Sequence, residues 1–310
     1  MKTPTLTNGA KYLLLCLTLL PWNAEATEAQ AAVHPQNADA VFAGNPLIFS
    51  APPRGTLAKE TENYQPLTDF LTKVTGRKVI YQHADNWLSY SRDMTQGKLD
   101  IVFDGPHFNS WRMENLNHTP LVKLPEDFIF VVIVKADNES IKNIKQLAGR
   151  RICAHAPPNL GTLTLLNQFD NPARQPLIAT VKGWDKSYTS LMAGQCVATV
   201  VPIKNLEKMD KGKNLARIVF KTPAMPNQAI SAGPRISPEI QNKIKQALLT
   251  EEGKAATAKL RSAYAGKDFV PATRAEYVGL SAYIKNSLYY SSPGATSDAV
   301  ALNKTDRQHR

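Results

Sequence analysis

Short apolar runs alternate with longer stretches of helical periodicity along most of the chain. In the first helical stretch the apolar residues recur every three or four positions, at Tyr64, Leu67, Phe70, Leu71 and Val74. This spacing predicts a helix with one buried face. Gly76 follows, at the point where a helix end favours a left-handed backbone. Residues 128–134 are instead continuously apolar and rich in β-branched side chains, which is typical of a strand buried on both sides.

The order of these segments predicts two consecutive α/β units. In the first unit we predict strands at 46–50, 78–83 and 99–103 and helices at 60–75 and 86–96. A predicted strand at 127–134 runs out of the first unit. The second unit has predicted strands at 151–154, 177–181 and 196–201 and predicted helices at 141–147, 161–169 and 185–193. Further strands at 215–220 and 228–233 and helices at 238–250, 251–264 and 273–288 complete the pattern. Strands that alternate with helices favour mostly parallel sheets covered on both faces.

Two units of similar size indicate an α/β protein with two lobes and a ligand cleft between them. We assign residues 46–130 and 228–288 to one lobe and residues 131–227 to the other. Loops at the carboxyl ends of parallel strands meet at such a cleft, where helix N-termini also favour anions.

The N-terminal segment has the features of a cleaved secretory signal peptide. Lys2 and Lys11 precede an apolar run of nine residues, which is far shorter than the roughly 20 residues of a membrane span. The pattern Ala24-Glu25-Ala26 predicts cleavage before Thr27. We therefore expect residues 1–26 to be removed and the mature protein to reside in the periplasm. We further expect a polar lead at 27–45 and a disordered tail at 291–310.

The charge of the chain is +11, and removal of residues 1–26 leaves 35 basic and 25 acidic residues, or +10. Such a balance attracts anions of any size. A nucleic-acid interface would cluster basic and aromatic residues on one face, whereas here the basic residues are scattered along the helices and turns. We expect no nucleic-acid partner and a monomeric protein.

Two cysteines, Cys153 and Cys196, remain after the signal peptide is removed. They lie near the starts of the first and third strands of the second unit, which are neighbours in a sheet of order 2-1-3. In an oxidising compartment this arrangement predicts a disulfide. An alternative is a soft-metal or arsenite site, because Cys153 and His155 share one face of a strand. The spacing supplies no third ligand, and we expect neither a cofactor nor an enzymatic activity.

Several short motifs occur in an order that is typical of one protein family. They are residues 66–71 (PLTDFL), 97–101 (GKLDI) before the Gly105-Pro106 pair, 133–137 (IVKAD) and 144–151 (IKQLAGRR). Together they resemble the phosphate/phosphite/phosphonate-binding family of ABC-transporter substrate-binding proteins, a branch of the type II periplasmic binding proteins. The resemblance implies a protein that closes on a small ligand and delivers it to an inner-membrane permease. The same closure could instead signal to a membrane kinase or chemoreceptor.

The resemblance also implies a set of ligand contacts. The family's aromatic contact falls at Asn86 and Trp87, a further contact falls at Asp104, and the family's histidine aligns with Trp184. The helix that presents hydroxyl groups in the family corresponds to residues 157–162, and the contacts there would be Asn159, Leu160, Gly161 and Thr162.

Two further candidates follow from the residues themselves. Arg54, after the first strand, could hold a carboxylate in a bidentate grip. His107, just after Gly105-Pro106, could face the cleft from a helix N-terminus. Because residues 157–162 offer fewer donors than the family pattern, and Asp104 adds a carboxylate, we predict a divergent, more aromatic pocket. Its ligand would be an oxyanion or a polar, even cationic, organic molecule stacked on Trp87 and Trp184.

Overall fold

Two β-sheets, each covered by helices, make up the protein, and the computed structural model describes residues 44–264 and 267–284. The predicted signal peptide (1–26) and tail (291–310) lie outside the described residues, as does the predicted polar lead (27–45) apart from its last two residues. None of the helices in the described ranges is long and apolar enough to cross a membrane.

The first lobe contains a six-stranded sheet. Its elements are β1 (Leu47–Ser50), α1 (Leu57–Thr75), β2 (Val79–Tyr81), α2 (Trp87–Thr95), β3 (Ile101–Asp104), α3 (Pro106–Leu116), β4 (Thr119–Lys123), β10 (Ala229–Ala232), α7 (Pro238–Leu248), α8 (Glu251–Ser262), β11 (Val270–Pro271) and α9 (Arg274–Tyr277). The strand order is β11-β4-β10-β3-β1-β2. Strand β1 pairs parallel with β2 and β3, whereas β10 runs antiparallel to β3 and β4.

The second lobe contains a five-stranded sheet built from the middle of the chain. Its elements are β5 (Phe130–Lys135), β6 (Arg151–Ala154), α4 (Leu160–Leu166), β7 (Leu177–Thr180), α5 (Trp184–Met192), β8 (Ala198–Pro202), α6 (Ile203–Met209) and β9 (Ala216–Lys221). The strand order is β7-β6-β8-β5-β9, and β5 runs antiparallel to both of its neighbours. Both sheets are therefore mixed: β10 and the edge strand β11 are reversed in the first sheet, and β5 is reversed in the second.

Most predicted elements are present, with ends shifted by one to three residues. The prediction of an α-helix at 141–147 is wrong, because only a short 3₁₀ helix forms there, at Ile144–Leu147. The predicted helix at 273–288 is interrupted: α9 ends at Tyr277, and a 3₁₀ helix follows at Leu280–Tyr283. Gly279, with a φ of 79°, lies between the two, and this left-handed backbone ends the helix. The rest of that predicted helix, beyond residue 284, lies outside the described residues.

Two chain segments connect the lobes side by side, at residues 124–129 and 222–228. The Phe128 amide donates to the Met225 carbonyl at 2.8 Å, and the Leu124 amide donates to the Gln228 carbonyl at 3.0 Å. The two lobes are therefore joined by a pair of adjacent, hydrogen-bonded segments.

The turn between β3 and α3 is fixed by a buried ion pair. Arg112 Nε donates to Asp104 Oδ2 at 2.9 Å, and both side chains are fully buried. Tyr90 of α2 donates its hydroxyl hydrogen to Asp104 Oδ1 at 2.6 Å. The Asn109 amide donates to the carbonyl oxygens of Asp104 and Gly105. These contacts tie the end of β3 to α2 and to two turns of α3.

The predicted disulfide is confirmed. Cys153 on β6 and Cys196, which precedes β8, are bonded, with their Cα atoms 5.6 Å apart. The neighbouring strands β6 and β8 pair in parallel, with Cys153 opposite Thr199. Because both sulfur atoms are bonded to each other, no thiolate is available for the alternative soft-metal site. No group of three or more potential metal-ligating side chains occurs in the part of the chain that the structure describes.

Replacing both cysteines by alanine is expected to destabilise the protein by about 2–4 kcal/mol, because the bond closes a 43-residue separation in the unfolded chain. Urea denaturation of the variant and of the parent protein measures the difference. A reductant should lower the stability of the parent to that of the variant and leave the variant unchanged. Equal stability of the oxidised parent and the variant would contradict the prediction.

Replacing Arg112 by methionine is expected to cost about 3–5 kcal/mol of stability, because the Asp104 carboxylate would be left buried without its counter-ion. Thermal and urea unfolding measure the loss. The double variant Asp104→Asn/Arg112→Met, which buries no charge, should recover a large part of it. A single variant as stable as the parent would show that the pair does not hold this turn.

Candidate ligand-binding site

The loops that follow β1, β3 and β6 meet where the two lobes face each other. The ring of His107, on the first turn of α3, reaches across this cleft, and its Nε2 lies 3.0 Å from the carbonyl oxygen of Pro158 in the other lobe. Beside it, Leu163 of α4 packs into a cluster with Phe108 and Trp111 of α3. The lobes therefore touch, and the cleft is closed in this structure.

Arg54 provides the positive charge of the cleft. Its guanidinium carbon lies 5.7 Å from the ring centroid of Phe103 and 5.2 Å from that of Tyr264, and its Nη1 donates to the Tyr264 hydroxyl at 3.0 Å. The residue as a whole remains exposed, while its guanidinium lies against these two rings and is partly shielded from water by them. No carboxylate among the described residues lies within ion-pairing distance of Arg54. A guanidinium that is held in place but not neutralised can bind an anion.

The backbone of the Arg54 loop is held by a buried carboxylate. Glu60 Oε1 accepts hydrogen bonds from the amides of Arg54 and Gly55, each at 2.8 Å. Its other oxygen accepts from the Tyr81 hydroxyl at 2.8 Å and lies 2.9 Å from His83 Nδ1.

Burial opposes the charged form of Arg54, but Tyr264, Tyr64 and Asp104 together raise its pKa above the usual range. Arg54 is therefore positively charged at every physiological pH.

His107 is buried and neutral. Burial lowers its pKa to about 3, and the positive charge of Arg54 acts in the same direction, against the opposing effect of the Pro158 hydrogen bond. Its ring packs against Phe108 at a centroid distance of 4.1 Å. The other ring nitrogen, Nδ1, is buried without a hydrogen-bond partner among the described residues.

A second histidine, His155, lies in the loop after β6 in the second lobe. Its ring packs against Trp184 at a centroid distance of 4.1 Å, and its Nε2 is buried with no partner in the described part of the chain. Burial lowers the pKa of His155 to about 4, and Arg54 again contributes. Both histidines thus feel the charge of Arg54, which places all three groups in one electrostatic environment.

The predicted contact Asp104 lies at the cleft end of β3, and its carboxylate is paired. Arg112 neutralises its carboxylate, and Tyr90 occupies the second oxygen. The cleft therefore carries less negative charge than the sequence suggested. A direct ligand contact by Asp104 stays a prediction.

The predicted contacts of α2 lie at the N-terminus of that helix. Asn86 is exposed, and its side chain accepts from the Ser89 amide at 2.9 Å as the N-cap. Trp87 is half-buried and stacks on Phe108, with ring centroids 5.9 Å apart and planes 18° apart. Trp87 thus extends the aromatic surface beside His107.

The four predicted contacts of the second-lobe loop have structural partners of their own. Asn159 caps α4, Leu160 is in the lobe core, and the Thr162 hydroxyl donates to the His155 carbonyl at 2.6 Å. Gly161 packs against Phe130 so closely that an added Cβ would lie 2.6 Å from the phenylalanine ring. These contacts fix the shape of the loop that carries His155, and ligand contact by the four residues stays a prediction.

Sequence reasoning missed several residues around Arg54. The sequence predicts His155 only as a partner of Cys153, although its place in the loop after β6 identifies it as a cleft residue. Tyr264 follows α8, 210 residues after Arg54, and the pattern of apolar residues gives no sign of that contact. Glu60 was read only as the start of a helix.

Comparison with known proteins agrees with this architecture. The family described as "ABC transporter, phosphonate, periplasmic substrate-binding protein" matches residues 49–277. The phosphate-import protein PhnD of Mycolicibacterium smegmatis is 23% identical over 256 residues, which cover 74% of this chain and 78% of that protein.

Solved structures show the same fold. A Xanthomonas citri protein bound to ATP superposes with a TM-score of 0.62 at 16% identity, over 79% of this chain and 99% of that one. PhnD1 from Prochlorococcus marinus, in complex with methylphosphonate, gives a TM-score of 0.58 at 17% identity, over 77% of this chain and 97% of that one. Since the family match spans well over half of the sequence, the chain belongs to the phosphonate-binding family of periplasmic substrate-binding proteins of ABC transporters, which are transport components and not enzymes.

Proposed function

We propose that this protein captures a phosphonate- or phosphate-type oxyanion in the closed cleft and delivers it from the periplasm to an ABC permease. The observation that carries the proposal is the Arg54 guanidinium, which is held by Tyr264 and Phe103 and lacks a carboxylate partner among the described residues. An anionic ligand would neutralise the positive charge of Arg54.

The charge balance around the cleft favours an anion over a cation. Arg112 pairs with Asp104, and His107 and His155 are neutral, so among the described residues Arg54 has no counter-ion in direct contact. A cationic organic ligand would bring a second positive charge close to Arg54, and the repulsion between the two charges is unfavourable. The net charge of the whole chain, +11, acts in the same direction by attracting anions to the surface.

The connection between the lobes supports a capture mechanism. A ligand that contacts Arg54 on one lobe and the loop after β6 on the other stabilises the closed arrangement, in which His107 contacts Pro158. Closure then changes the outer surface that a permease can recognise. The assignment to transport, instead of signalling to a kinase, rests on the family to which the chain belongs.

We also propose that the aromatic side chains form the wall for the organic substituent of the ligand. Trp87 stacks on Phe108 in the first lobe, and Trp184 packs against His155 in the second. Planar aromatic faces of this kind favour apolar and planar substituents.

Arg54→Met is expected to weaken oxyanion binding by about 10- to 100-fold, because a charged hydrogen-bond donor contributes about 1.5–3 kcal/mol. Isothermal titration calorimetry with inorganic phosphate, phosphite and methylphosphonate measures the change. Arg92→Met is the matched control, since Arg92 is an exposed arginine that pairs with Asp93. Unchanged affinity in the Arg54 variant, or no binding of any of these oxyanions to the parent protein, would contradict the proposed function.

Trp87→Ala is expected to weaken phenylphosphonate binding by several-fold more than methylphosphonate binding, because only the larger ligand has a ring to place against the aromatic wall. The ratio of the two dissociation constants isolates this effect from any general loss of affinity. An equal loss for both ligands would show that Trp87 supports the fold of α2 and does not touch the substituent.

A further inference from the structure

The most informative unexplained atom of the cleft is Nδ1 of His107. The residue is 97% buried, with only 3% of its surface exposed, and Nδ1 has no hydrogen-bond partner among the described residues. A buried polar atom without a partner costs free energy, so its retention at a binding cleft points to a partner supplied by the ligand. The chemical nature of that partner depends on whether Nδ1 donates or accepts.

The hydrogen bond across the cleft decides the role of Nδ1. The partner of His107 Nε2 is the Pro158 carbonyl oxygen, which can only accept, so Nε2 must carry the hydrogen. In a neutral imidazole the other nitrogen then has a lone pair and no hydrogen. Nδ1 is therefore an acceptor, and its partner must be a hydrogen-bond donor.

The surroundings keep the ring in this state. The charged and titratable groups on the elements that meet here are Arg54 from the loop after β1, His155 from the loop after β6, and the Asp104–Arg112 pair beside α3. The positive charge of Arg54 and burial both oppose a second proton on His107, with its pKa near 3. Since Asp104 is already paired with Arg112, it does not stabilise an imidazolium. The ring stays neutral throughout the physiological range.

We propose that the cleft selects an oxyanion that carries a hydrogen, with Arg54 binding the negative oxygen and His107 Nδ1 accepting the hydrogen of the P–OH group. This inference rests on the proposed function and names the ionisation state of its ligand. The Arg54 guanidinium acts electrostatically on the His107 ring, and in this proposal one phosphonate head group contacts both. A fully ionised phosphonate would leave the Nδ1 lone pair facing an oxygen lone pair.

Three small anions distinguish a requirement for the P–OH hydrogen from a simple preference for a singly charged ligand. Methylphosphonate has a P–OH group as a monoanion and loses it as a dianion. Inorganic phosphate retains a hydroxyl in both its singly and doubly charged forms. Methanesulfonate has nearly the same shape and a single negative charge, but no hydroxyl at any relevant pH.

The experiment is isothermal titration calorimetry of the full chain with each anion from about pH 5.5 to about pH 8.5, a range that extends to both sides of typical second ionisations near 6 and above. Methylphosphonate affinity should fall about tenfold per pH unit above the second pKa of the ligand, as expected for the loss of one bound proton. Phosphate affinity should change much less over the same range. Methanesulfonate should bind at least about tenfold more weakly than methylphosphonate at the acidic end.

Gly105→Ala provides a variant that obstructs Nδ1 without removing the histidine. An added Cβ would lie 3.1 Å from Nδ1 and 3.0 Å from Cε1, while the backbone of Gly105, with φ of −66° and ψ of 162°, accommodates alanine without strain. The variant should reduce the difference between methylphosphonate and methanesulfonate and flatten the pH dependence. Arg54→Lys should weaken all three anions and retain the pH dependence. If His107 has only a structural role, Gly105→Ala will leave the pH dependence of methylphosphonate affinity unchanged.

The outcomes test the hydrogen requirement separately from the proposed capture of oxyanions. If methanesulfonate binds as tightly as methylphosphonate, or if phosphate loses affinity with rising pH as steeply as methylphosphonate, the hydrogen requirement is overturned while anion capture stands. If no oxyanion binds at any pH, the proposed function fails and the selection fails with it. A pH slope for methylphosphonate alone, lost in Gly105→Ala, supports both.

Discussion

The buried pair of Asp104 and Arg112 is the interaction on which the geometry of the cleft depends. Two charges without access to water are stable only when each has a close counter-ion and further hydrogen bonds, and Tyr90 supplies one of these to Asp104. Because Asp104 ends β3 and Arg112 lies two turns into α3, the pair fixes the direction in which the helix leaves the sheet. The placement of His107 between the lobes follows from that direction.

The same pair also determines the electrostatics of the cleft. With Asp104 neutralised by Arg112, the charge of Arg54 is not cancelled, and it is oriented by Tyr264 and by the grip of Glu60 on its loop. A nearby positive charge disfavours protonation of an imidazole, and burial acts in the same direction on both histidines. The result is a site with one cation and two neutral histidines, of which His107 has an acceptor nitrogen fixed by its contact with Pro158.

The fold was largely predictable from the sequence, because amphipathic helices and apolar strands have clear periodicities. The order β7-β6-β8 even brought Cys153 and Cys196 together as expected. For helix α3 only a helix N-terminus before His107 was expected, and its extent was not predicted, because residues 106–113 are all buried, polar ones included, and form no amphipathic pattern. The pairing of Asp104 with Arg112 and the contact of Arg54 with Tyr264 join residues whose proximity depends on tertiary packing, and local sequence patterns do not encode it.

Closure of the lobes and the chemistry of the cleft are linked through one hydrogen bond. The His107 ring donates to the Pro158 carbonyl only when the second lobe is in contact, so in an open form either ring nitrogen can carry the hydrogen. Contact with Pro158 fixes the hydrogen on Nε2 and thereby makes Nδ1 an acceptor. The proposed ligand preference is thus a property of the closed state, and a ligand with a matching hydrogen would stabilise that state over an open one. In the proposed mechanism, discrimination between ligands and the conformational change that a permease detects depend on the same ring.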